Sequence, residues 1–183
     1  LRPQLIPTPA PMLTLVMEKS VAEGIRDVTG MEVGIKWPND IIINKKKVCG
    51  ILTEAVTDFE SGDIEFVVVG MGLNICLEPE LLPEALKEVA GALYQDQEEA
   101  GQTDRNRLAA MIVNELRKET KDLKLSPDYV AHNMIPGHQI TITDGTSVRK
   151  AEALEICPDG RLKVREENGE ETILSFGEVS VAL

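Results

Sequence analysis

The 183 residues are 43% hydrophobic with a formal net charge of -12, enough apolar content for one ordinary core and a small second one. That charge argues against a broad phosphate-binding surface, because non-specific nucleic-acid affinity needs many lysines and arginines to release counterions. Cys49, Cys76 and Cys157 are widely spaced and form no Cys-x-x-Cys pair, so a reducing, cytoplasmic setting without disulfide framework or zinc site is expected, and no run approaches the roughly 18 to 20 apolar residues of a membrane span.

The chain starts at Leu1 in a stretch holding Pro3, Pro7, Pro9 and Pro11, which reads as a piece of a longer chain. Leu13, Val16, Met17, Ala22, Ile25 and Val28 recur at helical spacing, and Gly30 follows as a C-terminal cap, so a helix is predicted over 12–29. Strands are expected over 31–37, 40–43, 48–57 and 64–71, separated by Asn44-Lys45-Lys46 and Glu60-Ser61-Gly62-Asp63. Phe66 to Val69 is apolar without alternation, which predicts a central strand covered on both faces. Residues 80–93 read as weakly helical and 94–101 as a polar connector. A helix is predicted over 104–125, capped by Thr103. Beyond Pro136, Asp144-Gly145, Asp159-Gly160 and Asn168-Gly169 mark hairpins of a small antiparallel β-barrel.

Three clusters carry candidate chemistry. Lys36-Trp37-Pro38-Asn39-Asp40 gathers a cation, a ring, an amide and a carboxylate at one strand end, where Pro38 breaks the ladder. A packed Trp beside a surface ion pair explains that cluster equally well. Lys45 to Lys47 form a cationic knot at a turn, ordinarily a solvated one. Lys47, however, begins the next strand, and Gly50 leaves the backbone open to close approach. A lysine so placed can neutralise a carboxylate and the phosphate it attacks. Gly70-Met71-Gly72-Leu73-Asn74 follows the most apolar strand, so backbone can approach a ligand there and Asn74 can offer a donor and an acceptor. It lacks the third glycine of a dinucleotide fingerprint. His132 and His138 read as structural, and Cys49 as a small buried hydrophobe.

Together, Lys36 to Asp40, Lys47-x-x-Gly50-Ile51-Leu52-x-Glu54 and Gly70-x-Gly72-x-Asn74 resemble the central domain of biotin protein ligases, some of which double as the biotin operon repressor. The resemblance continues through Leu108-Ala109-Ala110 to Gly177-Glu178-Val179-Ser180. It implies an α+β fold with a mixed or antiparallel sheet and helices, like a class II aminoacyl-tRNA synthetase, over 1–135, and an SH3-like β-barrel over 136–183. It implies that biotin and ATP give biotinyl-5'-AMP and pyrophosphate, and that biotin then passes to a lysine of a biotin carboxyl carrier protein, a subunit of acetyl-CoA carboxylase. Lys47 would be the catalytic residue, touching the biotin carboxyl and the α-phosphate. Gly50, Leu52, Gly70 and Gly72 would complete the biotin site, while Asn74, Lys36, Asn39 and Asp40 would border the nucleotide, with Asp40 a candidate neighbour of Mg2+. A homodimer formed through a sheet edge is implied, without nucleic acid or membrane as partner of these residues.

Two departures stand against that pattern. The family's Arg- and Gly-rich loop over biotin, and the DNA-binding helices found upstream in some members, have no counterpart in this sequence, and Val179 to Leu183 lacks the arginine often found in the last strand. Two alternatives therefore stay open: a non-catalytic binding or dimerising module, and a relative of lipoate-protein ligases.

Overall fold

The computed structural model describes residues 10–58, 60, 64–121, 123–144, 146–175 and 178–181. Helix α1 spans Ala10–Thr29 and buries Leu13, Val16, Met17, Val21, Ala22 and Ile25. It stops where expected: Gly30 takes φ of 72°, and its N–H donates to the Arg26 carbonyl at 2.8 Å, the left-handed cap that a side chain would strain. Packed on α1 is an antiparallel sheet of β1 (Gly34–Lys36), β2 (Asp40–Ile43), β3 (Lys46–Thr57) and β4 (Ile64–Leu73), in that spatial order. Asn44 and Lys45 both have positive φ, 50° and 65°, which closes the two-residue turn between β2 and β3.

A polar connection with short helices α2 (Glu84–Lys87) and α3 (Gln97–Gln102) leads to α4 (Arg105–Glu119) and α5 (Pro127–His132). Helix α4 buries Leu108, Ile112 and Leu116, and a Cβ on Gly24 of α1 would stand 2.5 Å from Ile112 Cγ1. Closeness of the two helices thus depends on that missing side chain. Lys19, 6% exposed, joins them electrostatically, with Glu23 at 2.9 Å, Glu119 at 3.1 Å and Glu115 at 3.6 Å. Arg26 of α1 reaches α5 through His132 Nε2 at 2.7 Å and Asp128 Oδ2 at 3.1 Å. The His132 Nε2 lone pair accepts from the guanidinium, and the histidine bridges α1 and α5.

The C-terminal strands are β5 (Gln139–Asp144), β6 (Ser147–Ile156), β7 (Leu162–Glu166), β8 (Glu171–Leu174) and β9 (Glu178–Val181), all antiparallel in the order β8-β7-β6-β5-β9. The expected barrel is not closed: among the described residues β8 pairs with β7, β9 pairs with β5, and nothing joins β8 to β9. Ile140, Ile142, Ala153 and Val164 enter the same apolar cluster as α1 and the first sheet. Trp37 secures the join, 1% exposed, with its indole N–H donating to the Gly160 carbonyl at 2.9 Å.

Other expectations change. Phe66 to Val69 lies in β4, a sheet edge rather than its centre; α1 covers one face, so Val67 is buried while Val68 is 51% exposed. The first strand shortens to three residues and β3 starts two residues earlier. The predicted helix over 80–93 reduces to a 3-10 turn at Pro79–Leu81 and the single turn of α2, because Pro83 interrupts it. The polar connector contains α3. Helix α4 ends at Glu119, and its cap is Asp104, whose carboxylate accepts from the Arg107 N–H at 2.8 Å, rather than Thr103. The proline-rich start, Ser61 to Asp63, Gly145, Gly177 and the last two residues lie outside the described residues.

Candidate active site

The site is built where β2 and β3 meet. Asp40 pairs with Gly50, Ile41 with Cys49 and Ile42 with Lys47, leaving Val48 as the extra residue of a bulge. Strict alternation would put residues 47 and 50 on opposite faces. The bulge turns Lys47 onto the face of Gly50 and Asp40 instead. A Cβ on Gly50 would lie 3.0 Å from Lys47 Cε and 3.1 Å from Nζ, so what closely approaches this glycine is the lysine itself. Across Gly50 the ammonium reaches Asp40 Oδ1 at 2.5 Å, while Lys36 Nζ stands 3.5 Å from Asp40 Oδ2. The Lys47 side chain remains 46% exposed; it is oriented and still accessible to a ligand.

These groups line a cleft of about 630 Å³. One wall carries Lys36, Asp40 and Lys47; Gly50 and Gly72, register partners on β3 and β4, form the floor; Asn74 and Leu86, Val89 and Ala90 form the other side. A second pairing fixes that far side, since the Lys47 N–H donates to Val89 O and the Gly91 N–H to Lys47 O, both at 2.8 Å. Asn74 Nδ2 donates to Gly91 O at 2.9 Å, which clamps the amide and leaves its oxygen and second hydrogen for a ligand. Lys46 is withdrawn from the cleft: its Nζ donates to the Lys87 carbonyl at the end of α2, at 2.7 Å. Of the three consecutive lysines, Lys45 and Lys47 face the cleft.

Lys36, Asp40, Lys47, Gly50, Gly72 and Asn74 are thus brought together. Leu52, Gly70 and Asn39 are not in the lining. Leu52 is 61% exposed on β3 beside Gly70, its partner on β4, so the two extend the cleft floor as an open apolar shelf. Asn39 is bound to Ile51, its carbonyl accepting from the Ile51 N–H at 2.9 Å and its Nδ2 donating to the Ile51 carbonyl at 3.0 Å. Sequence reasoning missed Ile42, Leu86, Val89, Ala90 and Val181; the last brings β9 to the cleft edge. Cys49 also lines it, but burial, partly offset by the Lys47 charge, pushes the thiol up to about 12. It remains a protonated thiol without nucleophilic character at neutral pH. Among the described residues no group of three or more His, Cys, Asp or Glu could hold a metal ion.

Chemically, the cleft presents three ammonium groups against one carboxylate, on a chain of net charge -12. A polyanion is its natural occupant. Residues 2–74 match the biotin/lipoate A/B protein ligase family. The matched stretch takes in α1 and the four strands of the first sheet.

Among curated relatives of this family, the bifunctional ligase/repressor BirA of Bacillus subtilis is 41% identical over 95 residues, 52% of this chain and 29% of its own length. Its Escherichia coli namesake is 35% identical over 112 residues, 61% of this chain and 33% of its own. The biotin--[acetyl-CoA-carboxylase] ligase of Mycobacterium tuberculosis is 29% identical over 155 residues, covering 81% of this chain and 53% of its own length. The chain therefore spans about a third of the BirA relatives. A solved mutant biotin protein ligase of Aquifex aeolicus in complex with biotin superposes with a TM-score of 0.77 at 23% identity, covering 100% of this chain and 75% of that one. The likeness shows a shared α+β fold with antiparallel sheets.

Proposed function

We propose that the cleft activates biotin with ATP and passes the biotinyl group to a lysine of a biotin carboxyl carrier protein. The observation that carries this reading is the Lys47 ammonium, held over Gly50 by Asp40 at the mouth of a cleft with a glycine floor. Its support is the match to ligase relatives. In the first step a biotin carboxylate oxygen attacks the α-phosphorus of ATP and pyrophosphate leaves. The two reactants repel each other, and Lys47 lowers the barrier by facing both anions and the charge that develops between them. In the second step the carrier's neutral lysine amine attacks the acyl carbon, AMP departs, the nitrogen releases a proton to solvent, and an amide forms.

The remaining roles follow position. Gly50 and Gly72 admit the acyl chain close to the backbone, and the open shelf of Leu52 and Gly70 receives the apolar part of biotin. Asn74, Lys36 and Asp40 border the nucleotide; Asn39 acts there through the Ile51 main chain. Asp40 is the one carboxylate of the lining and faces two lysines, so the lining offers no cage for Mg2+. The ion is better suited to arrive on the ATP phosphates. We read residues 1–135 as the catalytic unit and 136–183 as an SH3-like unit left open at one side.

A cytoplasmic setting agrees with the free thiols of Cys49, Cys76 and Cys157, and among the described residues no helix is long and apolar enough to cross a membrane. A second reading, a binding or dimerising module, has its own support in Leu52, Val56 and Val68, exposed beside the open β4 edge. Sedimentation across concentration tests it: a homodimer is expected, and a monomer at all concentrations refutes pairing. Biotin-dependent exchange of pyrophosphate into ATP tests the ligase reading, and competition by lipoate decides which acid the cleft prefers, with biotin expected.

A further inference from the structure

Glu18 of α1 is fully buried, and the ligase reading gives it no task. Its Oε2 accepts a hydrogen bond from the buried Tyr129 hydroxyl of α5 at 2.9 Å. Its Oε1 has no partner among the described residues. The carboxyl lies against the main chain and the charge of Asp40, and Asn133, which bridges to Ile35 of β1, lies against the same tyrosine hydroxyl. An unpaired carboxyl oxygen in a core costs stability that an apolar side chain of the same size would not. Packing alone thus gives no reason for a glutamate here, and the group it meets at the site is the residue that aims Lys47.

We propose that Glu18, braced by Tyr129, is a positioning residue that fixes the Asp40 end of β2 and through it the stance of the Lys47 ammonium. This deepens the ligase reading and rests on it. Glu18 touches no substrate. It acts through the Asp40 main chain, below the sheet face that carries the cleft, and the loss expected on its removal is a misplaced ammonium rather than a weakened pocket.

The test is biotin-dependent pyrophosphate exchange by the full-length protein, with the paired change Glu18→Leu and Tyr129→Phe made in wild type and in Asp40→Asn. Replacing both partners by apolar groups leaves no orphaned hydroxyl, so folding should be preserved, with Tm at or above wild type. The expected result is a kcat about tenfold lower with biotin KM within about twofold, shrinking to less than about twofold in the Asp40→Asn background. Glu18→Gln, which keeps a polar group of the same shape, should restore most of kcat. Equal losses in both backgrounds, or wild-type kcat in the folded pair, overturn the proposal. If the pair does not fold, Tyr129→Phe alone decides: a fall of about threefold that vanishes with Asp40→Asn supports it, and no fall overturns it. Absence of exchange by wild type overturns the ligase reading and this proposal together, whereas exchange without coupling overturns this proposal alone.

Discussion

Lys47 reaches Asp40 only because Gly50 has no side chain beneath it and Val48 is bulged out of the ladder. Gly50→Ala would place a methyl 3.0 Å from Lys47 Cε, and the flexible end of the lysine would yield by a few tenths of an ångström. The expected effect is a fall in kcat of about three- to tenfold with little change in Tm, measured by steady-state exchange and thermal unfolding. Asn74→Ala removes the clamp to Gly91 as well as the proposed nucleotide contact, so ATP KM should rise about tenfold, with biotin KM nearly unchanged. The residue types at these positions could be read from the sequence, since a cation, a carboxylate and paired glycines suggest an anionic acyl intermediate. That Lys47 and Gly50 share a face could not, because the spacing predicts the opposite and only the bulge reverses it.

Helix α1 and helix α4 are the pair on which the sheet rests. Gly24→Ala gains roughly 1 kcal/mol of helix propensity, but the added carbon would lie 2.5 Å from Ile112 Cγ1, and overpacking costs about 1–3 kcal/mol. The clash should win, lowering stability in denaturant unfolding with an unchanged m-value. Helix α1, the strands and the hairpin glycines were legible because local pattern decides them: 3.6-residue periodicity, β-branched runs, and Gly160 and Gly169 at positive φ. The edge position of β4 was not, since an apolar run such as Phe66 to Val69 looks alike whether covered once or twice. Nor was the contribution of Leu86, Val89 and Ala90, which reach the cleft through main-chain pairing with Lys47 rather than any side-chain signature.

Across the whole molecule, one apolar cluster joins the two sheets, and Trp37 with its bond to Gly160 stands at their junction. The same cluster sets a pH dependence. Burial, with the Asp40 charge adding to it, raises Glu18 well above 4.5 despite the opposing hydrogen bond from Tyr129. A group raised in the fold contributes stability present below its unfolded value and lost as pH rises toward its folded one. Glu18→Gln removes that loss, so its stability relative to wild type should grow as pH is raised from about 4.5 to about 8, followed by thermal unfolding. A constant difference would contradict a buried neutral carboxyl.

We propose Lys47 as the chemical centre of an acid-activating cleft. Its most direct test is biotin-dependent exchange of labelled pyrophosphate into ATP by the full-length protein and by Lys47→Ala, with folding of both verified. Exchange by the wild type and a loss of about 10²- to 10³-fold in the variant are predicted; no exchange, or a folded Lys47→Ala that matches the wild type, would contradict it.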